Sequence, residues 1–194
     1  MANQVTHVVT GQARLSYVHL NAPYSHEAGG EPKYSVTVLI PKSDAATKAR
    51  IDAAIAAAVQ QGISTRWNGA KPPIVPNPMY DGDGVRPSGE AFAPECKGHW
   101  VLTASAKQDR RPRVWDLNRQ DILDPAQIYS GMFGRAAFDA YPYAFAGKKG
   151  IAFGLTGVQK TADGQPLGNA ASMEDDFGEP VTAGGVNPLT GLPF

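Results

Sequence analysis

The sequence has a single cysteine, Cys96, among its 194 residues. An internal disulfide needs two cysteines, so none can form, and a zinc site built on cysteine pairs is excluded as well. No apolar run approaches the roughly 20 residues of a membrane-spanning helix, and the first residues, MANQVTHVVTGQ, lack the charged and apolar regions of a secretory signal. We therefore expect no membrane contact and a reducing compartment.

Catalytic motifs are missing too. The sequence contains no P-loop, no Gly-x-Ser-x-Gly, no His-Glu-x-x-His and no Cys-x-x-Cys, and its histidines are scattered. The run DGDG at 81–84 offers two carboxylates, but the other ligand positions of a calcium-binding loop are absent, which favours a turn. These absences predict a binding protein rather than an enzyme, with no cofactor and no metal. A metal-dependent nuclease that uses some of the scattered aspartates stays open as an alternative.

Charge is balanced overall but distributed unevenly. The 18 basic and 18 acidic residues give a net charge of zero, yet every lysine and arginine lies at or before Lys160. Four acidic residues follow Met173, so the chain before Met173 carries 18 − 14 = +4 and the rest carries −4. Residues 163–194 are rich in Gly, Pro, Asn and Ala, and such a composition buries too little apolar surface to offset the entropy of ordering. We predict a moderately basic domain over 1–162 and a flexible acidic tail over 163–194.

Most of the recognisable elements are strands. Alternating and β-branched residues predict strands over 5–20, 33–40, 99–107 and 114–117, the first of them bent or divided near Gly11.

One long helix interrupts the strands. Ser43 or Asp44 caps it and Gly62 closes it. Its apolar face carries residues at helical spacing, namely Ile51, Ile55 and Val59. This order of elements suits a small Greek-key barrel of the OB type, although the usual OB order places its helix between the third and fourth strands.

The stretch 128–159, IYSGMFGRAAFDAYPYAFAGKKGIAFGLTGVQ, combines alternation with a concentration of rings and positive charge. Apolar and small or polar residues alternate over 132–143 and 150–158, with a Gly-Lys-Lys-Gly turn between them, which is typical of two half-buried strands in a hairpin. One face of such a hairpin enters a core and the other is free. Rings and cations on the free face suit a single-stranded nucleic acid, because rings stack with unpaired bases and cations bind phosphates.

Further basic and aromatic residues extend this surface. A basic turn at 110–113 follows the aromatic strand 99–107, and the Pro- and Gly-rich connection 63–98 carries side chains that can close over a ligand, among them Arg66 and Arg86. The candidate DNA-binding residues are Tyr17, Lys33, Tyr34, Trp67, Lys71, Trp100, Lys107, Arg110, Arg111, Arg113, Tyr129, Arg135, Tyr141, Tyr143, Lys148, Lys149 and Phe153.

Five segments together resemble the phage single-stranded DNA-binding proteins of the OB-fold type. They are GQARLSYVHL, KYSVTVLIPKSD, IYSGMFGRAAFDAYPY, GKKGIAFGLTGVQK and GQPLGNAASMEDDFG. The pattern Tyr-Ser-Gly-x-x-x-Arg-Ala, followed by Tyr-x-Tyr, Lys-Gly-Ile and Gly-Leu-x-x-Val-Gln, carries most of the resemblance, which covers about residues 11–178.

This resemblance implies a mainly β, OB-fold-like small Greek-key barrel with one main α-helix, long loops and a flexible C-terminal tail. It also implies binding of single-stranded DNA without sequence preference, in phage replication or recombination, in the cytoplasm of an infected bacterium. The best binding candidates become Arg135, Tyr141, Tyr143, Lys148 and Lys149.

The tail would then recruit replication or recombination proteins. Its acidic cluster consists of Glu174, Asp175 and Asp176, with Phe177 next to it, but residues 178–194 follow and end in Leu-Pro-Phe, so the partner hook is either Phe177 or Phe194. The sequence leaves open whether a homo-oligomer forms. The main alternative from another class is a β-rich phage structural or assembly protein whose rings are simply core and interface.

Overall fold

The structure, a computed structural model, describes residues 5–26 and 28–168. It contains eight strands and one long helix. These are β1 (His7–Val9), β2 (Ala13–Tyr24), β3 (Lys33–Pro41), α1 (Ala45–Thr65), β4 (Met79–Asp81), β5 (His99–Lys107), β6 (Arg113–Trp115), β7 (Phe133–Phe145) and β8 (Lys148–Ala162). The prediction of a mainly β protein with one main helix is confirmed. Across the described ranges, no helix is long and apolar enough to cross a membrane.

Five of the strands close into a ring. β7 pairs with β2, β2 with β3, β3 with β5, β5 with β8, and β8 with β7. Within this ring every pairing is antiparallel except β5–β8, where Ala104 lies opposite Phe153 and Ser105 opposite Gly154 in parallel register. A five-stranded ring with a long-range parallel contact is OB-like, but the β5–β8 contact comprises two residue pairs and the ring is not a fully formed barrel. The short strands β1, β4 and β6 pair at its margins, with β7, β5 and β8 respectively.

The helix lies between the second and third strands of this ring, so the departure from the usual OB order is present in the fold. Asp44 is its N-cap and accepts a hydrogen bond of 3.0 Å from the Thr47 amide. The helix does not end at Gly62, as predicted, but continues to Thr65. Gly62 is buried within it, where a Cβ would lie 2.9 Å from Pro142 of β7 and from the Trp67 ring. Its lack of a side chain therefore serves close packing, not termination.

The core fills the inside of the ring. Along β3 the even-numbered residues Val36, Val38 and Ile40 point inward and are fully buried, and Leu102 and Ala104 of β5 meet them. Phe138 of β7 and Phe153 of β8 pack edge to face with ring centroids 4.9 Å apart. Each buried large side chain of this kind contributes about 1.5–3 kcal/mol relative to an exposed one. The odd-numbered residues of β3 and β5 lie on the opposite, outer face of the sheet, where Leu39 and Val101 are buried with Cys96 in a second, small cluster.

The chain after β8 returns along the start of β7. The Leu167 amide donates to the Ser130 carbonyl at 2.8 Å, and the Arg14 guanidinium donates to the Gln165 carbonyl at 2.9 Å. A Cβ on Gly131, whose φ is +109°, would lie 2.1 Å from the same Gln165 carbonyl. Residues 163–168 of the predicted tail are therefore held against the ring. The acidic cluster, Phe177 and Phe194 lie outside the described residues.

Candidate nucleic-acid interface

Small hydroxyl side chains form a flat floor on the outer face of β3 and β5. Ser35 pairs with Ser105 and Thr37 pairs with Thr103, so the four lie in two cross-strand rows. The Thr37 and Thr103 hydroxyl oxygens are 3.0 Å apart and hydrogen-bonded. The residues between them in sequence belong to the core, so this floor is fixed from behind. A floor of short side chains leaves room for a flat ligand to lie across the strands.

Rings rise around this floor and turn it into a cleft of about 600 Å³. Its aromatic walls come from β2, β7, β4 and the loop after β4, and consist of Tyr17, Tyr143, Tyr80 and Phe92, with His26 at one end. We call this space the hydroxyl-floored cleft. Rings that surround small polar groups offer both stacking surfaces and hydrogen-bonding partners, which is the composition of a site for unpaired bases.

A bulge in β2 places Tyr17. The β2–β3 register shifts between Ser16 and His19, and Tyr17 adopts a φ of +45°, which a residue with a bulky side chain rarely adopts. The bulge turns the Tyr17 ring outward, where it is 50% exposed at the cleft wall. Strained backbone that presents an exposed ring to a cleft is typical of a binding surface.

Two tyrosines of β7 lie over glycines of β8. Tyr143 pairs with Gly150, and a Cβ there would lie 2.7 Å from the Tyr143 hydroxyl oxygen, so this ring lies flat across the neighbouring strand. Tyr141 leans over Gly154 in the same way, but less closely, at 3.4 Å. Partial burial and the adjacent Tyr143 raise the pKa of Tyr141, so its hydroxyl stays neutral in the physiological range. Both rings are thereby held outward at the edge of the cleft.

Lys42 clamps the opposite wall. Its ammonium group is 2.6 Å from carboxylate oxygens of both Asp81 and Asp83, and the second oxygen of Asp83 accepts from the Gly98 amide at 3.0 Å. These hydrogen bonds lower the pKa values of both carboxyls and raise that of Lys42. The DGDG run is thus a clamped turn. Tyr80 precedes this turn and Phe92 lies in the loop after it, and their ring centroids are 6.2 Å apart in the wall of the cleft.

Positive charge is sparse in the cleft and denser at its margins. Arg86 lines the cleft, with its guanidinium carbon 5.6 Å from the centre of the Phe92 ring. Lys33 and Lys107 pair across β3 and β5 beyond the floor. Lys148 and Lys149 begin β8 at the tip of the β7–β8 hairpin, beyond Tyr143. Phosphates of a strand lying in the cleft would therefore meet cations mostly at its two ends.

The outer face of β1, β6, β7 and β8 carries a second concavity, of about 460 Å³, which we call the Trp115 cleft. Arg113 binds Asp121 through two hydrogen bonds of 3.1 and 2.7 Å, and the Trp115 indole donates to the same carboxylate at 3.0 Å. Arg113 holds the pKa of Asp121 below its usual range. Arg135 faces the same cleft and donates to the Thr10 carbonyl at 3.0 Å. The cations of this cleft are therefore largely engaged within the protein.

Comparison with known proteins identifies the family. Residues 6–186 match the family model described as the single-stranded DNA-binding protein of Enterobacter phage Enc34. The chain belongs to this family. Its members are binding proteins rather than enzymes, as the sequence predicted.

Solved structures agree with this assignment. The single-stranded DNA-binding protein of bacteriophage Enc34 in complex with single-stranded DNA is 30% identical, over 87% of this chain and 95% of that one, with a TM-score of 0.71. A second structure of the Enc34 single-stranded DNA-binding protein is 27% identical, over 92% of this chain and 96% of that one, with a TM-score of 0.68. The single-stranded DNA-binding protein gp2.5 of bacteriophage T7 shares the fold at 14% identity, with coverage of 93% and 98% and a TM-score of 0.59. No curated protein matches this chain.

Three of the predicted DNA-binding rings in this member of the Enc34 family are buried in its core. They are Tyr34, Trp67 and Phe153. Trp67 donates its indole N–H to the Tyr143 carbonyl at 3.1 Å, and it thus supports the cleft from below without facing it. Phe153 belongs to the lining of the hydroxyl-floored cleft, but its ring is 2% exposed and packs on Phe138. None of the three rings therefore has a free face for stacking, and the prediction is corrected for them.

Two further predicted rings lie away from the cleft. Trp100 points to the core side of β5 and is covered by Lys42 and Lys48, whose nitrogens are 5.0 and 4.9 Å from its ring centre. The Tyr129 hydroxyl donates to Asp163 and accepts from the Gly164 amide, with the Lys160 nitrogen 5.2 Å from its ring centre. Each of these rings is occupied by contacts within the protein.

The other predicted residues divide by position. Tyr17 and Tyr143 line the hydroxyl-floored cleft, and Tyr141 borders it. Lys33, Lys107, Lys148 and Lys149 lie beyond its ends, whereas Arg113 and Arg135 line the Trp115 cleft. Lys71, Arg110 and Arg111 are exposed outside both clefts. Among the described residues, no group of three or more His, Cys, Asp or Glu side chains is placed to hold a metal.

The sequence prediction missed three rings of the cleft, which are Tyr80, Phe92 and His26. Tyr80 and Phe92 stand at the two ends of the stretch that holds the DGDG turn and Arg86. A ring on each side of a glycine-rich turn that carries Arg86 is the available signal, but the Pro- and Gly-rich composition of this connection predicts partial mobility instead.

Proposed function

We propose that this protein binds single-stranded DNA in the hydroxyl-floored cleft, without sequence preference, during phage DNA replication or recombination. The observation that carries the proposal is the pairing of aromatic walls with a flat hydroxyl floor on the outer face of the ring. The similar Enc34 protein, 30% identical, is in complex with single-stranded DNA. Every base has a π-face, so stacking tolerates any sequence, and each stacked base contributes about 1–3 kcal/mol.

The distribution of charge implies a particular balance of forces. Arg86 lines the cleft, and the lysines lie beyond its ends. Because affinity for single strands changes with salt by a slope of about −0.7 for each phosphate contact, a small number of contacts gives a shallow salt dependence. Stacking would then supply most of the affinity. A duplex, whose bases are already stacked on one another, offers these rings nothing comparable.

The test is a titration of end-labelled oligo-dT and of duplex of equal length, followed by anisotropy at two salt concentrations. Anisotropy is preferable to tryptophan emission, because the three tryptophans are buried, covered by lysines, or in the Trp115 cleft. We expect tight binding of oligo-dT, weaker binding of duplex, and a loss of affinity for oligo-dT in Tyr143→Ala and Phe92→Ala. Absence of binding at low salt, or affinity untouched by both substitutions, would contradict the proposal.

We also propose that the acidic segment within residues 163–194, beyond the residues held against the ring, acts as an arm that recruits replication or recombination proteins in the cytoplasm of an infected bacterium. Glu174, Asp175 and Asp176 supply the charge, and Phe177 or Phe194 supplies the apolar hook. The support is the charge asymmetry of the chain, +4 before Met173 and −4 after it. An arm of that sign would also compete with DNA for the basic margins of the cleft and be released when DNA binds. Peptides ending at Phe177 or at Phe194, used to capture phage replication proteins, would separate the two hooks.

A further inference from the structure

Three rings cluster at the His26 end of the hydroxyl-floored cleft. His19 and Tyr24 of β2 stack with centroids 4.5 Å apart and planes 11° from parallel. His26, in the loop after β2, meets both edge to face, at 5.6 Å from His19 and 5.0 Å from Tyr24. His26 and Tyr17 both line the cleft, and His19 pairs with Ser35 of its floor. The cluster therefore continues the aromatic wall beyond the floor.

The cluster has the composition of a site for one more nucleotide. Tyr24 is half exposed, so the stacked pair presents ring surface to solvent. Tyr24 pairs with Lys33, and Lys33 pairs with Lys107, which places two ammonium groups in the same cross-strand row as the rings. One end of the cleft thus combines ring surface, two lysines and two imidazoles.

The paired strands bring two lysines to the elements that carry the imidazoles. The titratable and charged groups there are Tyr17 and Tyr24 of β2, Lys33 of β3 and Lys107 of β5. The connecting loop adds Glu31, which is exposed, and Glu27, which directly follows His26 in sequence and lies outside the described residues. Within residues 5–26 and 28–168, the ion pairs include no carboxylate bound to His19 or His26. Burial, and then the neighbouring His26, lower the pKa of His19, so its imidazole is neutral near pH 7. A phosphate bound nearby would stabilise the protonated imidazole and raise that pKa.

We propose that His19, Tyr24 and His26 form an end subsite of the cleft, in which the exposed ring surface stacks with one base and a protonated imidazole binds the adjacent phosphate. This inference rests on the proposed function, since it requires a strand in the cleft. It adds a defined end to the strand's path and couples binding to uptake of protons. The ligand class is an internal phosphodiester together with its unpaired base.

The coupling has a fixed sign and a limited size. A group that binds a proton more tightly in the complex than in the free protein makes affinity rise as pH falls. If a phosphate contact raises an imidazole pKa by about one unit, the gain in affinity per imidazole is at most about tenfold. We therefore expect affinity for oligo-dT to be about threefold to sixfold higher near pH 5.5 than near pH 7.5 for one coupled imidazole.

The experiment measures the dissociation constant of oligo-dT over this pH range at constant ionic strength. Thymine does not titrate there, and oligonucleotides without terminal phosphates avoid the phosphate pKa near 6. The variants are His26→Gln, whose side chain is exposed, and the double variant His19→Gln/His26→Gln. His99→Gln is the matched control. The His99 ring is hydrogen-bonded to the carbonyl of Lys97, two residues earlier, and it does not line the cleft.

The outcomes separate the two proposals. A pH dependence present in the parent protein and in His99→Gln, reduced in His26→Gln and abolished in the double variant, supports the subsite. A pH dependence that persists in both His26→Gln and the double variant, or that is absent from the parent protein, overturns it while leaving binding in the cleft intact. Absence of oligo-dT binding at every pH instead overturns the proposed function. If the double variant folds poorly, His26→Gln alone decides the question. The subsite is then supported only if the ratio of affinities at pH 5.5 and 7.5 is at least twofold smaller in His26→Gln than in the parent protein.

Discussion

Glycine at two positions of β8 decides how the tyrosines of β7 lie. The Tyr143 ring lies so close to Gly150 that a Cβ at this position would collide with it. The Tyr141 ring lies farther from Gly154, and a Cβ there would make an ordinary van der Waals contact. A residue without a side chain inside a strand weakens the strand, and it commonly marks the close approach of another group. Here the approaching group is a ring of the candidate binding surface.

We predict different effects of alanine at these two glycines. Gly150→Ala would displace the Tyr143 ring, because its Cβ would lie 2.7–2.9 Å from three atoms of that side chain. We expect affinity for oligo-dT to fall by about 1–3 kcal/mol, the contribution of one stacked base. Gly154→Ala, with contacts of 3.4–3.8 Å, is the matched control and should bind like the parent protein. Equal affinities of the two variants would show that the position of Tyr143 is not important for binding.

Two phenylalanines of the same hairpin should contribute very differently to the stability of the fold. Phe153 is 2% exposed and packs on Phe138, whereas Phe145, at the hairpin tip, is 80% exposed. Phe153→Ala should lower the free energy of unfolding by about 3–5 kcal/mol, because it leaves a cavity in the core. Phe145→Ala should change it by no more than about 0.5 kcal/mol. Urea unfolding without DNA measures both. A large loss in Phe145→Ala would contradict the exposed position of that ring.

Alternation in sequence predicts a strand more readily than it predicts which face of the strand is covered. Tyr141 and Phe153 occupy the two strands of one hairpin and both follow the alternating pattern, yet one is at the surface and the other in the core. Tyr34 failed as a prediction for the same reason, since it shares the inward face with Val36. Tyr17 lies in the cleft because the β2–β3 register shifts beside it. A bulge of this kind moves a side chain to the other face of the sheet, and the alternation of apolar and polar residues in the sequence does not reveal it.

At the scale of elements, the loop after β4 is held by charge. Lys42 bridges Asp81 and Asp83, and Gly82 between them is required because a Cβ would lie 2.0 Å from the Cys96 carbonyl oxygen. The two aspartates separated by glycine predict a turn, and a turn is present at 82–83. The sequence could not show the lysine, which lies about 40 positions earlier and meets the turn only after β3, β4 and β5 have assembled.

Removal of the clamp should loosen one wall of the cleft. Lys42→Ala leaves Asp81 and Asp83 close together without their cation, and we expect weaker binding of oligo-dT with little loss of overall stability, since the groups are at the surface. Lys48→Ala is the matched control, because Lys48 also covers the Trp100 ring but pairs with Asp52 of its own helix. Binding curves for both variants at neutral pH provide the measurement. If Lys48→Ala weakened binding as much as Lys42→Ala, the effect would belong to Trp100.

The clamp also has a pH signature distinct from that of the histidine cluster. Lys42 lowers the pKa values of Asp81 and Asp83, so the clamp contributes stability above their unfolded pKa of about 3.9 and loses it as pH falls through the lower folded values. It is therefore fully formed from about pH 5.5 to 7.5, the range in which imidazoles titrate. We therefore expect the ratio of the affinities for oligo-dT at pH 5.5 and pH 7.5 to be the same in Lys42→Ala as in the parent protein. Measurement of both dissociation constants in the variant tests this.

The helix illustrates what local sequence does predict. Its N-cap at Asp44 and its apolar contact at Ile51 were both anticipated from residue type and spacing. Its end was not, because Gly62 was interpreted as a terminator. In the structure Gly62 allows Trp67 and Pro142 to approach, and these contacts depend on β7, more than 70 positions further along the chain. Local signals locate an element, whereas its exact end depends on what packs against it.

At the scale of the whole molecule, closure of the ring creates the site. The hydroxyl floor comes from β3 and β5, and the parallel pairing of β5 with β8 brings the β7–β8 hairpin, with Tyr141 and Tyr143, to its side. These pairings join residues far apart in sequence, and no local pattern encodes them. The resemblance of short motifs to the phage family therefore predicted the fold and the family, whereas the composition of the cleft required the structure.

The charge of the whole chain leads to the last prediction. Replacement of Glu174, Asp175, Asp176 and Glu179 by their amides removes the −4 of the tail and retains its length, leaving a chain of net charge +4. If the tail competes with DNA for the lysines at the margins of the cleft, the amide variant and a chain ending at 172 should both bind oligo-dT more tightly than the parent. The difference should grow at low salt, since the Debye length rises from about 8 Å at physiological ionic strength to about 30 Å at 0.01 M. A chain ending at 186 retains all four acids and should bind like the parent. Unchanged or weaker binding by the amide variant would mean that the acidic residues serve partner recruitment without regulating DNA binding.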